Sequence, residues 1–152
     1  MKTTFVILMF LAVALPCQAA PQKKDLGVGV ILGDPVRLSV KRWIGPKTAI
    51  DGAFSQTGDA ESSDFEIHVD YLKHDFNMFH IKEGSLPVYY GIGVRIQNEA
   101  ELTTSVRVPI GLSFLFRNAP VSIFYEYAFL LDVTTPNSQI ESETAFGIRY
   151  FF

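Results

Sequence analysis

Apolar side chains recur at every second position through most of this chain, and no other feature restricts its fold as much. From Thr144 to Phe152, Thr144, Phe146, Ile148, Tyr150 and Phe152 share one face, while Ala145, Gly147, Arg149 and Phe151 share the other. A period of two belongs to an extended strand, whose successive side chains leave on opposite sides; a helix would group them at spacings of three and four. The first face is too apolar for water, and the second carries an Arg. Such alternation is expected where one face of a closed barrel meets lipid and the other meets the lumen.

The pattern begins far upstream. Leu26, Val28 and Val30 alternate with Gly27, Gly29 and Ile31 up to a turn at Gly33-Asp34-Pro35, after which Val36, Leu38 and Val40 alternate with Arg37, Ser39 and Lys41. Trp43 precedes the turn residues Ile44 to Lys47, a position that suits the membrane–water boundary. Ile50, Gly52 and Phe54 mark a third run, and the polar residues Gln56 to Ser63 read as a loop. Phe65, Ile67, Val69 and Tyr71 form the most regular run, and His74 to Ser85 is assigned only as a connection. Val88 to Ile96, Val106 to Phe116 and Val121 to Phe129 follow, with Asn98 to Leu102 and Asp132 to Ser142 as loops. Pro109 lacks an amide donor and a closed barrel has no edge to hide it on, so a bulge is expected there. With the final run this makes eight strands, each near the ~9 to 11 residues that cross a bilayer obliquely. The expected fold is all-β, an eight-stranded antiparallel up-and-down transmembrane β-barrel.

At the N-terminus, Lys2, the apolar stretch Phe5 to Leu15 and the small-x-small site Cys17-Gln18-Ala19 predict a secretory signal peptide over residues 1–19, cleaved after Ala19. The barrel domain is then 20–152. Cys17 is the only cysteine, so the mature chain places no disulfide demand on an oxidising compartment. No run reaches the ~18 to 20 apolar residues of a spanning helix, and only helices and closed barrels satisfy their backbone in lipid. A net charge of −3 with no clustered basic face excludes a nucleic-acid partner.

The charges decide which face is outside. A basic residue on the lipid face near midplane costs about 2 to 4 kcal/mol, so the apolar faces point to lipid and the charges fill the lumen. The lumen set is Arg37, Lys41, Arg95, Arg107 and Arg149 against Asp51, Glu66, Asp70, Glu126 and Glu143, with His68 beside them. Buried charges persist when paired, and eight strands enclose a bore just wide enough for its own side chains. A salt-bridged plug is therefore the leading reading, a narrow proton or solute path the sharper one. With both ends periplasmic, the four outer loops contain Asp and Glu but no Lys or Arg, whereas Lys47, Lys73, Lys82 and Arg117 lie in the periplasmic turns.

Glu66, His68 and Asp70 share one inward face, a trio that can orient a base or hold a metal ion. Inside a network of Arg and carboxylates its ordinary role is structural, and no catalytic, cofactor-binding or metal residue is assigned. Ser55 and Ser62, the nearest candidates on the outer rim, have no His beside them. The glycines at 27, 29, 91 and 93 are followed by no helix and so match no phosphate-binding loop.

Several segments carry a resemblance: GVGVILGDP at 27–35, TAIDGA at 48–53, Asp70-Tyr71-Leu72, LPVYYGIG at 86–93, VPIGL at 108–112, Asn118-Ala119-Pro120 and FGIRYFF at 146–152. Together they resemble an uncharacterised family of small bacterial outer-membrane β-barrel proteins, and more distantly OmpX and the membrane domain of OmpA. The resemblance implies a Gram-negative outer-membrane location and outer-membrane lipid as surroundings. It also implies insertion by the barrel-assembly machinery, which would read the strand face Phe146, Ile148, Tyr150 and Phe152. It brings no ligand or catalytic motif. The brief outer loops depart from OmpX and weigh against adhesion. The expected role is structural or surface-interacting, without cofactor or catalysis; the alternatives are a lipid-modifying enzyme and a narrow channel.

Overall fold

The computed structural model describes residues 24–59, 62–134 and 139–152. The expected signal peptide, 1–19, lies outside them. Nine strands form: β1 (Leu26–Leu32), β2 (Arg37–Trp43), β3 (Thr48–Asp59), β4 (Ser62–Asp75), β5 (Gly84–Ser85), β6 (Val88–Asn98), β7 (Leu102–Phe116), β8 (Val121–Asp132) and β9 (Ile140–Phe151). Each long strand pairs antiparallel with its neighbours in the sequence, and β1 pairs with β9, so eight strands close a barrel, with no helix among the described residues. β5 is a two-residue stub on the lower end of β7.

Closure fixes the stagger. Stepping from partner to partner, Val28 leads through Val40, Gly52, Val69, Val94, Val106 and Leu131 to Ile140, yet the β9 residue opposite Val28 is Tyr150, ten positions further on. A stagger of this size over eight strands requires them to tilt, by roughly 35 to 45°. Each lateral step from β1 towards β9 therefore gains roughly one and a quarter residues of height. On that stagger the lower ends of the eight strands come level to within roughly three residues. The upper ends do not, because β1 and β2 have seven residues each where β4 has 14 and β7 has 15.

The period of two decides what each face meets. Along β7, Val108, Ile110 and Leu112 are exposed on the outside while Arg107, Pro109 and Ser113 are buried inside. Ile67, Val69 and Tyr71 on β4 and Phe146, Ile148 and Tyr150 on β9 are likewise exposed, with His68, Asp70, Ala145 and Arg149 buried behind them. Apolar residues outside and charges inside are the reverse of a water-soluble barrel.

Four local expectations are corrected. Gln56 to Ser63 is not a loop: β3 continues to Asp59 and β4 starts at Ser62, with Gly58 at φ 100° where a side chain would be strained. No bulge forms at Pro109, since the β6–β7 register is the same on both sides of it; the ladder only omits the pairs at Pro109 and Val108, and the β7–β8 register runs through unbroken. A proline whose missing donor faces one neighbour costs a rung there without adding a residue. Trp43 stands at the strand end beside its turn, but its ring does not face outward: it continues the inward parity of Arg37, Ser39 and Lys41 and lies 4.5 Å from that of His74. The 74–85 connection begins only after Asp75, and its end joins the sheet as β5, with His80 bridging to Ser85.

Ile110 sits near the middle of the outward apolar face of β7. Ile110→Arg is expected to lower the stability of the barrel in lipid vesicles by about 2 to 4 kcal/mol, read from the midpoint of urea unfolding; an unchanged midpoint would mean that this face does not meet hydrocarbon.

Candidate functional site

The lumen holds the chemistry of this protein, and its position follows from parity: the inward charges alternate with outward residues that are mostly apolar, Arg42 beside Lys41 and Ser142 and Thr144 beside Glu143 being polar. The structure places Arg37, Lys41, Asp51, His68, Asp70, Arg95, Arg107, Glu126 and Arg149 in the buried class, with Glu66 and Glu143 only slightly more open. The stagger sorts them into levels that strand order alone does not give.

Arg107 occupies the centre and is wholly buried. It forms ion pairs with Asp70 from β4 and Glu126 from β8, and its Nε donates to Glu143 of β9 at 3.0 Å. Tyr89 donates its hydroxyl to the second oxygen of Glu126 at 2.8 Å. Charge-assisted hydrogen bonds of this kind are the strong ones, and here one guanidinium ties four strands across the bore. Below it, Arg149 forks onto both oxygens of Asp51 at 2.8 and 2.7 Å, donates to Ser39 at 2.8 Å and lies 3.7 Å from the centre of the Phe124 ring. The last contact is a cation–π stack in a desolvated place.

The end of the bore near the β2–β3 turn is closed by a different chemistry. Lys41 is buried and donates to His74 Nε2 at 2.8 Å, while His74 Nδ1 lies 3.3 Å from the Lys47 carbonyl. Both bonds are satisfied when the imidazole is neutral with its proton on Nδ1. Trp43 and Tyr89 flank the ammonium at 4.9 and 5.1 Å, and Phe76 packs beside Trp43 and His74.

Towards the outer mouth Arg37 bridges Glu66 at 2.9 Å and Glu143 at 3.2 Å, and Arg95 reaches Glu143 and Glu141 at 3.4 Å. Above them a cavity of about 430 Å³ is lined by Arg95 together with Glu99, Glu101, Asp132 and Glu141. The trio Glu66, His68 and Asp70 is brought together, but His68 lies 3.9 Å from Glu66 and 3.8 Å from Asp70, too far for hydrogen bonds. Glu66, His68 and Glu143 each bring one ligand atom within 4.8 Å of the others, the spacing of a loose metal cluster. Guanidinium groups already hold both carboxylates, so a metal ion would have to displace Arg37 and share Glu143 with two more arginines. Ser55 is buried in the lumen and not on a lipid-facing rim, and the side chain of Ser62 lies outside the described residues.

Sequence reasoning did not single out Ser39, Tyr89, Phe124 or the Lys41–His74–Trp43 cap. Parity marks Ser39, Tyr89 and Phe124 as inward, yet nothing in their local sequence says which charge each will meet.

No family model matches the chain, and no curated protein matches it. Among solved structures, the chain is similar to the N-terminal β-barrel domain of Pseudomonas aeruginosa OprF, at a TM-score of 0.54 and 12% identity, over 84% of this chain and 96% of that one. It also aligns with Ail, the attachment invasion locus protein of Yersinia pestis, at a TM-score of 0.42 and 16% identity, over 84% and 94% of the two chains. The shared fold is a closed eight-stranded antiparallel barrel. At such identity the OprF likeness speaks for architecture alone.

Removing Arg107 strands Asp70 and Glu126 without their cation. Arg107→Leu is expected to cost about 3 to 5 kcal/mol, whereas Arg95→Leu, nearer the mouth and with longer contacts, costs about 1 kcal/mol or less. Urea midpoints of the two variants in the same vesicles make the comparison; equal losses would show that depth in the lumen carries no weight.

Proposed function

We propose that this chain is an integral protein of the bacterial outer membrane whose barrel is closed by its own side chains, and that it acts structurally or through its surface, not as a channel or a catalyst. The observation that carries the reading is the wholly buried Arg107, joined to carboxylates on β4, β8 and β9 so that it crosses the bore. A path for solute would have to break at least two of those pairs and then pass the Arg149–Asp51 pair and the Lys41–His74–Trp43 cap. Glu66 and Asp70 are paired with Arg37 and Arg107, and neither lies within hydrogen-bond distance of His68, so the trio is not arranged to orient the ring against a substrate.

Export completes the reading. Residues 1–19 serve as a signal peptide, and β9 presents Phe146, Ile148, Tyr150 and Phe152 to the barrel-assembly machinery during insertion. All four are exposed on the outer face.

Planar-bilayer recording of the folded protein is expected to show no steady single-channel current; a persistent open level would overturn the plug. N-terminal sequencing of the protein recovered from outer membranes is expected to begin at Ala20, and an intact Met1 would refute cleavage after Ala19.

A further inference from the structure

The wall of this barrel is not the same height all round. β2 pairs with β3 only as far as Leu38 with Phe54, and β1 pairs with β9 only as far as Leu32 with Phe146. Above those pairs β3 runs on to Asp59 and β9 begins as high as Ile140. The β1–β2 hairpin thus ends roughly four to seven residues below the tops of the other six strands, about 10 Å or more along the axis. Over that height β3 and β9 face each other across a gap two strands wide.

Among the described residues, the backbone at the gap has no strand partner. Phe152 donates its amide to Leu26 on the β1 side, whereas Phe151 donates to Pro120 on the β8 side, so even-numbered residues of β9 point their amides and carbonyls towards β1. Thr144, Ser142 and Ile140 therefore aim theirs into the gap. On β3 the Thr48 carbonyl accepts from Ile44 and Gly45, which places the even-numbered Gln56 and Gly58 on the gap side as well. Sheet edges of this kind do not occur in hydrocarbon, where each unsatisfied group costs several kcal/mol.

Outward side chains draw the same boundary independently. On the short face the exposed apolar residues end at Leu32, Val36 and Phe146, and the next outward positions are Gln56, Thr144 and Ser142, all exposed, with Ile140 alone above them. At the level of Gln56 and Ser142, Ile96 on β6 and Leu131 on β8 still face the outside. On β7 six outward apolar residues follow one another from Val106 to Phe116, whereas β2 offers Leu38 and Val40 before Arg42.

We propose that the partner of the β1–β2 face is the lipid headgroup layer of the outer leaflet, which the short wall draws down to the Gly33–Pro35 turn, so that the bilayer is locally thinned on this side alone. Water and headgroups then satisfy the open edges of β3 and β9. They also reach the outermost lumen pairs sideways, at Arg37. The inference rests on the reading of the chain as a membrane barrel, and its test separates the two.

Val36 and Val94 lie at nearly the same height on different faces of the barrel, and both are exposed. A nitroxide label is placed on Val36→Cys or Val94→Cys in the chain from residue 20 onward, which has no other cysteine, and the protein is folded into dioleoylphosphatidylcholine vesicles with heat-modifiable migration as the folding check. Collision rates with oxygen and with a water-soluble nickel chelate then report depth. The expected result is a several-fold preference for oxygen at position 94 and for the nickel chelate at position 36. Oxygen preference at both positions would overturn the thinning while leaving the membrane barrel standing. Nickel preference at both would overturn the membrane reading and the thinning with it.

Discussion

The structure depends on one requirement: in a bilayer every backbone amide and carbonyl must find its partner within the protein. A sheet meets it only by closing on itself, and here the closure is the pairing of β1 with β9 over Gly27 to Leu32. Once eight strands are closed with a stagger of ten residues, tilt and bore follow, and the bore is narrow enough for side chains to fill. Inward residues from opposite walls are then forced into contact. Gly29 is needed on the seam itself, because a Cβ there would run into the Ile148 carbonyl across from it.

Charge in the lumen is a consequence of that geometry as much as a cause of stability. Taking five cations out of water is costly, and each is tolerated because its partner sits within reach on another strand. Arg107 and Arg149 each bond to residues from strands far apart in sequence, so these pairs exist only in the closed cylinder. They report closure, and they obstruct the bore. The wall that carries them is complete only part of the way up. Where pairing stops, the outward residues turn polar, so one boundary is written twice, in the backbone and in the side chains.

Much of this was legible in the residues. A period of two from Leu26 to Phe152 gave the strands and their faces, because the geometry of an extended chain is local and needs no partner to express it. The expense of a charge in hydrocarbon then assigned those faces, and all eleven inward polar residues named from the sequence lie in the lumen. Local rules failed where a neighbour overrode them. Gln56 to Ser63 has the polar composition of a loop, but backbone pairing does not require apolar side chains and the β3–β4 register continues to Asp59 and Ser62. Pro109 suggested a bulge, yet register is set by the whole ladder and one missing donor does not shift it. Trp43 carried the composition of an interfacial residue, and its parity turned it inward over Lys41.

The sequence by itself determined the alternation, the number of spanning strands and the sign of each face, since these follow from bond geometry and from the free energy of charge in lipid. Only the tertiary structure decided which charge meets which, that Lys41 is capped by His74 and two aromatic rings, and that the β1–β2 wall stands lower than the rest. Those facts depend on the stagger between strands, a property of the closed cylinder that no single strand encodes.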